Sequence, residues 1–247
     1  MRLTLSIWRQ AGPDDTGRFE DYEVPDAEPA MSVLELLDAL NARLVDAGDE
    51  PVAFDSDCRE GICGACGVTV DGRPHGPAEN TPSCHQRLTA FSDGDTVRIE
   101  PFRAAAFPVL RDLVVDRSAL DDVVEAGAHV PIPTGTAPDA DATLQNHRTA
   151  EAALDFAACI GCGACVAACP NGSANLFVGA KLEHLALMPV SAPGRAPRAR
   201  DMVSETERHF GPCSLYGECS RVCPSDIPLR AVAAVNRERL RSVFRRS

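Results

Sequence analysis

The stretch that decides the fold is residues 58–66, which read CREGICGAC. It contains three cysteines with the spacing C-x4-C-x2-C, and a further cysteine, Cys84, follows in a separate segment. This spacing is typical of plant-type [2Fe–2S] clusters. Thiolate sulfur is a soft, negatively charged ligand that suits iron, and the glycines of the loop let backbone N–H groups approach the sulfurs. We therefore predict a [2Fe–2S] cluster bound by Cys58, Cys63, Cys66 and Cys84.

The C-terminal half of the chain contains two more cysteine runs, and each ends in Cys-Pro. They are Cys159, Cys162, Cys165 and Cys169 before Pro170, and Cys213, Cys219 and Cys223 before Pro224. The first of them has the spacing C-x2-C-x2-C-x3-C of bacterial two-cluster proteins, in which the fourth cysteine of a run binds the other cluster. We therefore predict a [4Fe–4S] cluster bound by Cys159, Cys162, Cys165 and Cys223.

The three remaining cysteines predict a smaller cluster. Cys169, Cys213 and Cys219 supply three thiolates, and Tyr216 stands where a complete run would have a fourth cysteine. Three thiolates favour a [3Fe–4S] cluster. A phenolate is an alternative ligand, but the ordinary pKa of tyrosine, about 10, favours a role in which Tyr216 blocks the empty corner. The likeness of the two C-terminal runs also suggests an internal duplication.

Other uses of these cysteines fit the sequence less well. Their number, eleven, is odd and their spacings match metal loops, which argues against a disulfide framework. Zinc is the alternative metal for closely spaced cysteines, but the first run with its distant fourth cysteine favours iron. His85 raises the alternative of mixed ligation, yet a Rieske centre needs two histidines and no second one lies nearby. Because cluster thiolates must stay reduced, we expect a reducing compartment.

Composition and charge limit the class of protein further. The 247 residues suit one large or two small domains, and the net charge is −12. Residues 1–105 carry 9 basic and 20 acidic side chains, whereas residues 191–247 carry 11 basic and 6 acidic ones. The acidic balance argues against nucleic-acid binding, and no GxGxxG or P-loop indicates a nucleotide site. The most apolar stretch, residues 152–169, is short for a membrane span and contains four predicted ligands.

The apolar pattern predicts an α+β fold that begins with a plant-type ferredoxin (β-grasp) domain over residues 1–105. Leu3, Leu5 and Ile7 alternate with polar residues, as in a half-buried strand. Further strands are predicted at residues 19–24, 68–70 and 97–99. Ser32 and Glu35 form a capping box for a helix over residues 33–47, and Gly48 ends it.

The rest of the chain is predicted to be a connector, residues 106–148, and a helical domain of the two-cluster bacterial-ferredoxin type, residues 149–247. Within the connector we expect a helix at 118–128 and an extended path at 130–135, which is rich in proline. Within the helical domain we expect helices at 149–158, 201–210 and 228–244, and a loop at 191–197.

The order of the three predicted clusters resembles the iron–sulfur subunit of succinate dehydrogenase and fumarate reductase. Residues 58–64, CREGICG, and 159–165, CIGCGAC, are similar to the signatures of that family, and the third run lacks a cysteine where the family does. The resemblance covers essentially the whole chain. It implies an electron-transfer subunit, with no catalytic residue for succinate of its own, that relays electrons from the FAD of a flavoprotein subunit through [2Fe–2S], [4Fe–4S] and [3Fe–4S] clusters to quinone.

The resemblance also implies partners and a location. Membrane anchor subunits would hold the chain at the cytoplasmic face of the bacterial cell membrane, with quinone near the [3Fe–4S] cluster. Ala174 and Ser214 stand where many members have Trp and His, so the family's quinone contacts do not carry over. A fumarate reductase subunit, a soluble ferredoxin-like carrier and a subunit that feeds another acceptor are the alternative functions.

Overall fold

The computed structural model describes residues 1–129, 144–188 and 194–244. Its first part is a five-stranded sheet with one long helix, followed by a two-stranded hairpin. The elements are β1 (Leu3–Arg9), β2 (Arg18–Val24), α1 (Val33–Ala47), β3 (Val68–Val70), β4 (Arg73–Pro74), β5 (Thr96–Pro101), β6 (Val109–Arg111) and β7 (Val114–Val115). The second part is helical, with α2 (Ser118–Gly127), α3 (His147–Ala157), α4 (Ala164–Ala167), α5 (Asn175–Leu187), α6 (Arg195–His209), α7 (Glu218–Arg221) and α8 (Arg230–Phe244).

The sheet has the strand order β2-β1-β5-β3-β4, and β1 and β5 run parallel at its centre. Leu3, Leu5 and Ile7 point into the core with at most 1% exposure, as their alternation predicted. The capping box of α1 is confirmed, because the Glu35 N–H donates to Ser32 Oγ at 3.2 Å and the Ser32 N–H donates to the Glu35 carboxylate at 2.6 Å. Gly48 ends the helix with φ of 79°.

The hairpin β6–β7 was not predicted, and a buried carboxylate ties it to the sheet domain. Asp112, at its turn, is 3% exposed. Its carboxylate accepts hydrogen bonds from the backbone N–H groups of Gln10 at 2.9 Å and Ala53 at 2.8 Å, and from Arg9 Nε at 3.2 Å. The sequence signal is weak because both strands are very short and the aspartate itself occupies the turn, with φ of 45°.

The helical part packs around α5. This helix contacts α3, α6 and α8, and α2 packs against α6. At Gly179 of α5 an added Cβ would lie 2.0 Å from the carbonyl oxygen of Ala231, so the backbones of α5 and α8 are in direct contact. The core of this part also includes Phe102, which directly follows the last strand of the sheet, and Phe107, which lies between β5 and β6. The proposed division into residues 1–105, 106–148 and 149–247 stays a prediction.

The predicted strands and helices are found, with shifts of at most two residues at their ends except at the start of α6. The loop predicted at 191–197 is wrong from Arg195 onward, since α6 begins there and Pro197 lies in its first turn, where a missing N–H costs no helical hydrogen bond. Helix α5 was not predicted. The extended path predicted at 130–135 lies outside the described residues, as do residues 191–193. Within the described ranges, no helix is long and apolar enough to cross a membrane.

Candidate functional site

The first cysteine group lies at the edge of the sheet domain. Cys66 and Cys84 are buried, at 5% and 6% exposure, while Cys58 is half-buried and Cys63 is exposed. The Glu60 N–H donates to Cys58 Sγ at 3.3 Å. Hydrogen bonds from the backbone N–H groups of Glu60 and Ile62 lower the pKa of Cys58 to about 7. The loop therefore already directs backbone donors at sulfur, as a bound cluster requires.

An arginine inside this loop fixes it to helix α1. Arg59 forms an ion pair with Asp38 and donates to Ser56 Oγ at 3.1 Å. Its own backbone has φ of 56°, and the neighbouring Gly61 has φ of 75°, so the loop coils tightly through the left-handed region. The coiled backbone brings the thiols of this group close together, since Cys63 helps to lower the pKa of Cys58, and Cys84 and Cys63 help to raise the pKa of Cys66.

The second cysteine group lines an apolar cavity of about 340 Å³, a volume that includes the space open to solvent at its mouth. The cysteines that line it are Cys159, Cys162, Cys165 and Cys223. Cys223 comes from the third run, so the structure brings together the four cysteines proposed for the [4Fe–4S] cluster. The Ile227 N–H donates to Cys223 Sγ at 3.4 Å. Ile160, Leu176 and Phe177 supply apolar walls, which limit the access of water to the thiols.

The third cysteine group lines a second cavity, also of about 340 Å³ with its open mouth. Its cysteines are Cys169, Cys213 and Cys219. Tyr216 lines the same cavity with a side chain that is largely exposed, at 62% for the residue. The second and third runs are held together here, because Asn171 Nδ2 donates to the Pro212 carbonyl at 2.9 Å and to Ser214 Oγ at 2.8 Å.

Burial and mutual proximity raise the pKa of five of the eleven thiols, which are Cys66, Cys162, Cys165, Cys219 and Cys223. Burial raises the pKa of Cys66 and Cys162 to about 12, and that of Cys219 to about 11. The pKa of Cys165 is raised well above its ordinary value by burial and then by Cys162, Cys159 and Cys223. Thiols that converge in this way become thiolates at neutral pH only beside a strong positive charge, which iron supplies. The three groups therefore fit iron–sulfur clusters.

Two basic side chains that the sequence analysis did not select lie against these groups. Lys181, the lone lysine of the chain, donates from Nζ to the Cys159 carbonyl at 3.1 Å. Arg117, at the start of α2, donates to the Cys162 carbonyl at 3.0 Å. Lys181 stands out in the sequence only as the lone lysine, which by itself indicates no role. Nothing in the sequence marks Arg117 among the 23 arginines.

The histidines near the cysteines have other partners. His85 is exposed and its Nε2 lies 3.2 Å from the Arg59 carbonyl oxygen, which gives the ring a partner other than a metal. His209 lies 3.0 Å from a Glu205 oxygen and 3.2 Å from an Asp122 oxygen, so it joins α6 to α2. His75 is 1% exposed, and its Nδ1 accepts from the Ser83 N–H at 3.2 Å, directly beside Cys84.

Comparisons with known proteins agree with this arrangement. Residues 4–122 match the family model for a 2Fe-2S iron-sulfur cluster binding domain, and residues 158–227 match that for a 4Fe-4S dicluster domain. The chain is 31% identical to the succinate dehydrogenase iron-sulfur subunit of Bacillus subtilis, over 98% of this chain and 94% of the relative. It is 27% identical to the fumarate reductase iron-sulfur subunit of Wolinella succinogenes, over 91% and 90%.

Among solved structures, the chain is similar to one chain of the Mycobacterium smegmatis Sdh1 complex in the apo form. The TM-score is 0.70 at 23% sequence identity, and the match covers 99% of this chain and 97% of the other. At this identity the likeness shows the α+β fold alone.

Proposed function

The chain belongs to the family of succinate dehydrogenase and fumarate reductase iron–sulfur subunits, and on that premise we propose that it relays electrons from a flavoprotein subunit to quinone. The observation that carries this proposal is the arrangement of its eleven cysteines. All are free, and all fall into three separate groups with none left over. Such a chain is suited to moving electrons over a distance rather than to acid–base chemistry on succinate.

The proposed ligands follow these groups. Cys58, Cys63, Cys66 and Cys84 hold the [2Fe–2S] cluster, and Cys159, Cys162, Cys165 and Cys223 hold the [4Fe–4S] cluster. Cys169, Cys213 and Cys219 hold the [3Fe–4S] cluster, with Tyr216 at its vacant corner. When bound, these clusters supply one-electron transfer. The chain's own contribution is to separate the three groups, to bury their sulfurs and to direct backbone N–H groups at them.

Partners are proposed from the exposed apolar residues beside the first and third groups. Ile62, in the first loop, is 71% exposed, and Leu215 and Tyr216, in the third, are 69% and 62% exposed. Exposed apolar side chains next to a redox group fit a docking surface. We propose that an FAD-containing flavoprotein covers the first loop and that membrane anchor subunits cover the third, with quinone nearby. The chain is then peripheral, at the cytoplasmic face of the cell membrane.

The experiment that tests this function is purification of the complex from membranes, followed by iron and sulfide analysis and EPR. We expect about nine iron atoms per chain and three distinct signals, one for each cluster type. A flavoprotein should copurify with the chain. Zinc in place of iron, or a stable monomer purified from the soluble fraction, would contradict the proposal.

A fumarate reductase subunit is the second candidate, because relatives of both names align along most of the chain. The two functions run the same chemistry in opposite directions. The direction depends on the cluster potentials and on the quinone, so a redox titration of the purified complex, together with rates measured in both directions, distinguishes them. A soluble ferredoxin-like carrier is the alternative from another functional class. Electron transfer by the purified chain without a bound flavoprotein would identify it.

A further inference from the structure

Arg117 joins two loops that belong to different cysteine groups. Its Nη1 donates to the carbonyl oxygen of Gly64, in the first loop, at 2.5 Å and to that of Cys162, in the second, at 3.0 Å. Its Nη2 donates to the Ala65 carbonyl at 3.3 Å. One planar guanidinium therefore holds both loops at once, which its fork of donors allows and a lysine ammonium does not.

The two loops are in direct backbone contact at this point. Gly64 is buried with φ of 73°, and an added Cβ would lie 2.4 Å from the Ile160 carbonyl oxygen and 3.0 Å from the Cys162 nitrogen. No side chain separates the loops there. Gly64 follows Cys63 directly, and Cys162 is itself a proposed ligand of the second cluster. The contact therefore forms a short connection between the first and second groups, and Arg117 lies across it.

The charge of Arg117 is not neutralised by a carboxylate. Among the residues that the structure describes, no aspartate or glutamate forms an ion pair with it; the adjacent Asp116 carboxylate accepts from the Ser118 N–H at 2.8 Å instead. The side chain is half-buried, and its charge acts on groups on both sides of the contact, including buried His75 beside Cys84. Arg117 is a fixed cation whose hydrogen-bond partners are carbonyl oxygens. The two negatively charged clusters would therefore be the anions that balance its charge.

We propose that Arg117 is a positioning residue that holds the first and second loops in electron-transfer contact and raises the reduction potentials of both clusters through its charge. This inference rests on the proposed function. In the step that it would serve, one electron would pass from the first cluster, reduced by the flavoprotein, to the oxidised second cluster. The third group has no contact with Arg117 in the described part of the chain, so its potential serves as an internal reference.

Two substitutions separate the charge from the bridging geometry. Arg117→Gln removes the charge, and Arg117→Lys keeps it but cannot span three carbonyls. For the glutamine variant we expect the midpoint potentials of the first and second clusters to fall. A fall of about 59 mV corresponds to a tenfold lower ratio of reduced to oxidised cluster at a fixed solution potential. For the lysine variant we expect nearly unchanged potentials but a weaker magnetic interaction between the first and second reduced clusters.

The measurement is an EPR redox titration of the whole purified complex, with power saturation of the first-cluster signal to report the magnetic interaction. Arg43→Gln is the matched control, because it removes one positive charge from the domain of the first cluster, at a surface site where Arg43 pairs with Asp26. Its potentials should equal those of the wild type.

The outcomes distinguish this inference from the proposed function. A wild-type complex that lacks the three signals would contradict the function itself. A wild type with all three signals and an Arg117→Gln variant with unchanged first and second potentials, or with all three potentials shifted equally, would overturn the role of Arg117. If the glutamine variant does not assemble, the lysine variant tests the proposal. An unchanged magnetic interaction between the first and second clusters in that variant would refute the role of Arg117 in holding the two loops together.

Discussion

Gly163 and Gly217 have the same backbone conformation, with φ and ψ of 87° and −2° in the first and 85° and −5° in the second. Each begins a one-turn helix, α4 or α7, whose second residue is a cysteine. The residue before the glycine is Cys162 in one run and Tyr216 in the other. The two runs therefore share local structure, as the proposed duplication requires, and Tyr216 occupies the position of a ligand.

We predict that Tyr216→Cys converts the third cluster from [3Fe–4S] to [4Fe–4S], because it restores a thiolate at the position equivalent to Cys162. The measurement is the EPR signal of the oxidised [3Fe–4S] cluster, which should disappear while the iron content rises by about one atom per chain. Tyr216→Ser is the control: it removes the ring without adding a thiol and should keep the signal. Persistence of the signal in the cysteine variant would contradict the proposed ligand set.

We predict that Cys84→Ser removes the [2Fe–2S] signal alone. Cys84 is a buried member of the first group and lies in neither of the cavities of the second and third groups. EPR of the reduced complex measures the outcome. His85→Ala, one residue along the chain, is the control and should keep all three signals, since its ring contacts the Arg59 carbonyl. Loss of the [4Fe–4S] or [3Fe–4S] signal in the serine variant, with the [2Fe–2S] signal intact, would disprove the assignment of Cys84 to the first cluster.

We predict that Gly64→Ala destabilises the chain far more than Gly72→Ala. Both glycines have left-handed backbones, with φ of 73° and 76°, so each alanine costs about 1 to 2 kcal/mol. At Gly72 an added Cβ meets nothing within 4 Å, whereas at Gly64 it meets the Ile160 carbonyl at 2.4 Å. The loss of cluster absorbance on heating measures the difference. At about 2 to 4 °C per kcal/mol, the Gly64 variant should fall several degrees further.

We predict that Glu238→Gln destabilises the C-terminal helix by about 1.5 to 3 kcal/mol, because it removes a buried carboxylate that accepts charge-assisted hydrogen bonds from partly exposed arginines. Glu238 is 1% exposed and binds Arg195 through both carboxylate oxygens, at 2.5 and 2.7 Å, and Arg241 at 3.0 Å. Thermal unfolding of the complex measures the effect. Glu207→Gln is the control: its pair with Arg239 at 2.8 Å is exposed, and its loss should cost at most about 1 kcal/mol.

The same carboxylate predicts a pH dependence. Burial raises the pKa of Glu238, but Arg195 and the other arginines outweigh it and hold the pKa below its ordinary value of 4.5. A lowered folded-state pKa gives stability that is fully present above the ordinary value and is lost as the pH falls through the lowered one. The stability difference between wild type and Glu238→Gln should therefore be constant above the ordinary value and shrink below it. A difference that grows on acidification would show the opposite shift.

The sequence predicted those elements whose signals are local. The capping box depends on Ser32 and Glu35 alone, and the alternation of the first strand on Leu3, Leu5 and Ile7. Both patterns involve residues that are close in the chain, and both were confirmed. Helix α5 escaped prediction because seven of its residues are buried among several neighbouring helices, so its apolar residues show no single face. The start of α6 escaped because prolines and a glycine at 193–197 favour a loop in isolation, while packing on α2 and α8 favours a helix.

The sequence by itself determined that the chain is suited to binding iron–sulfur clusters, because cluster binding depends on cysteines at short, fixed spacings that can be read directly from the chain. Only the tertiary structure decided how the groups stand next to one another. The contact of Gly64 with Ile160, and the reach of Arg117 from α2 to two loops 45 and 53 residues away in the chain, arise from the packing of separate segments. Spacing along the chain holds no information about such contacts, since they depend on which surfaces the folded segments bury against each other.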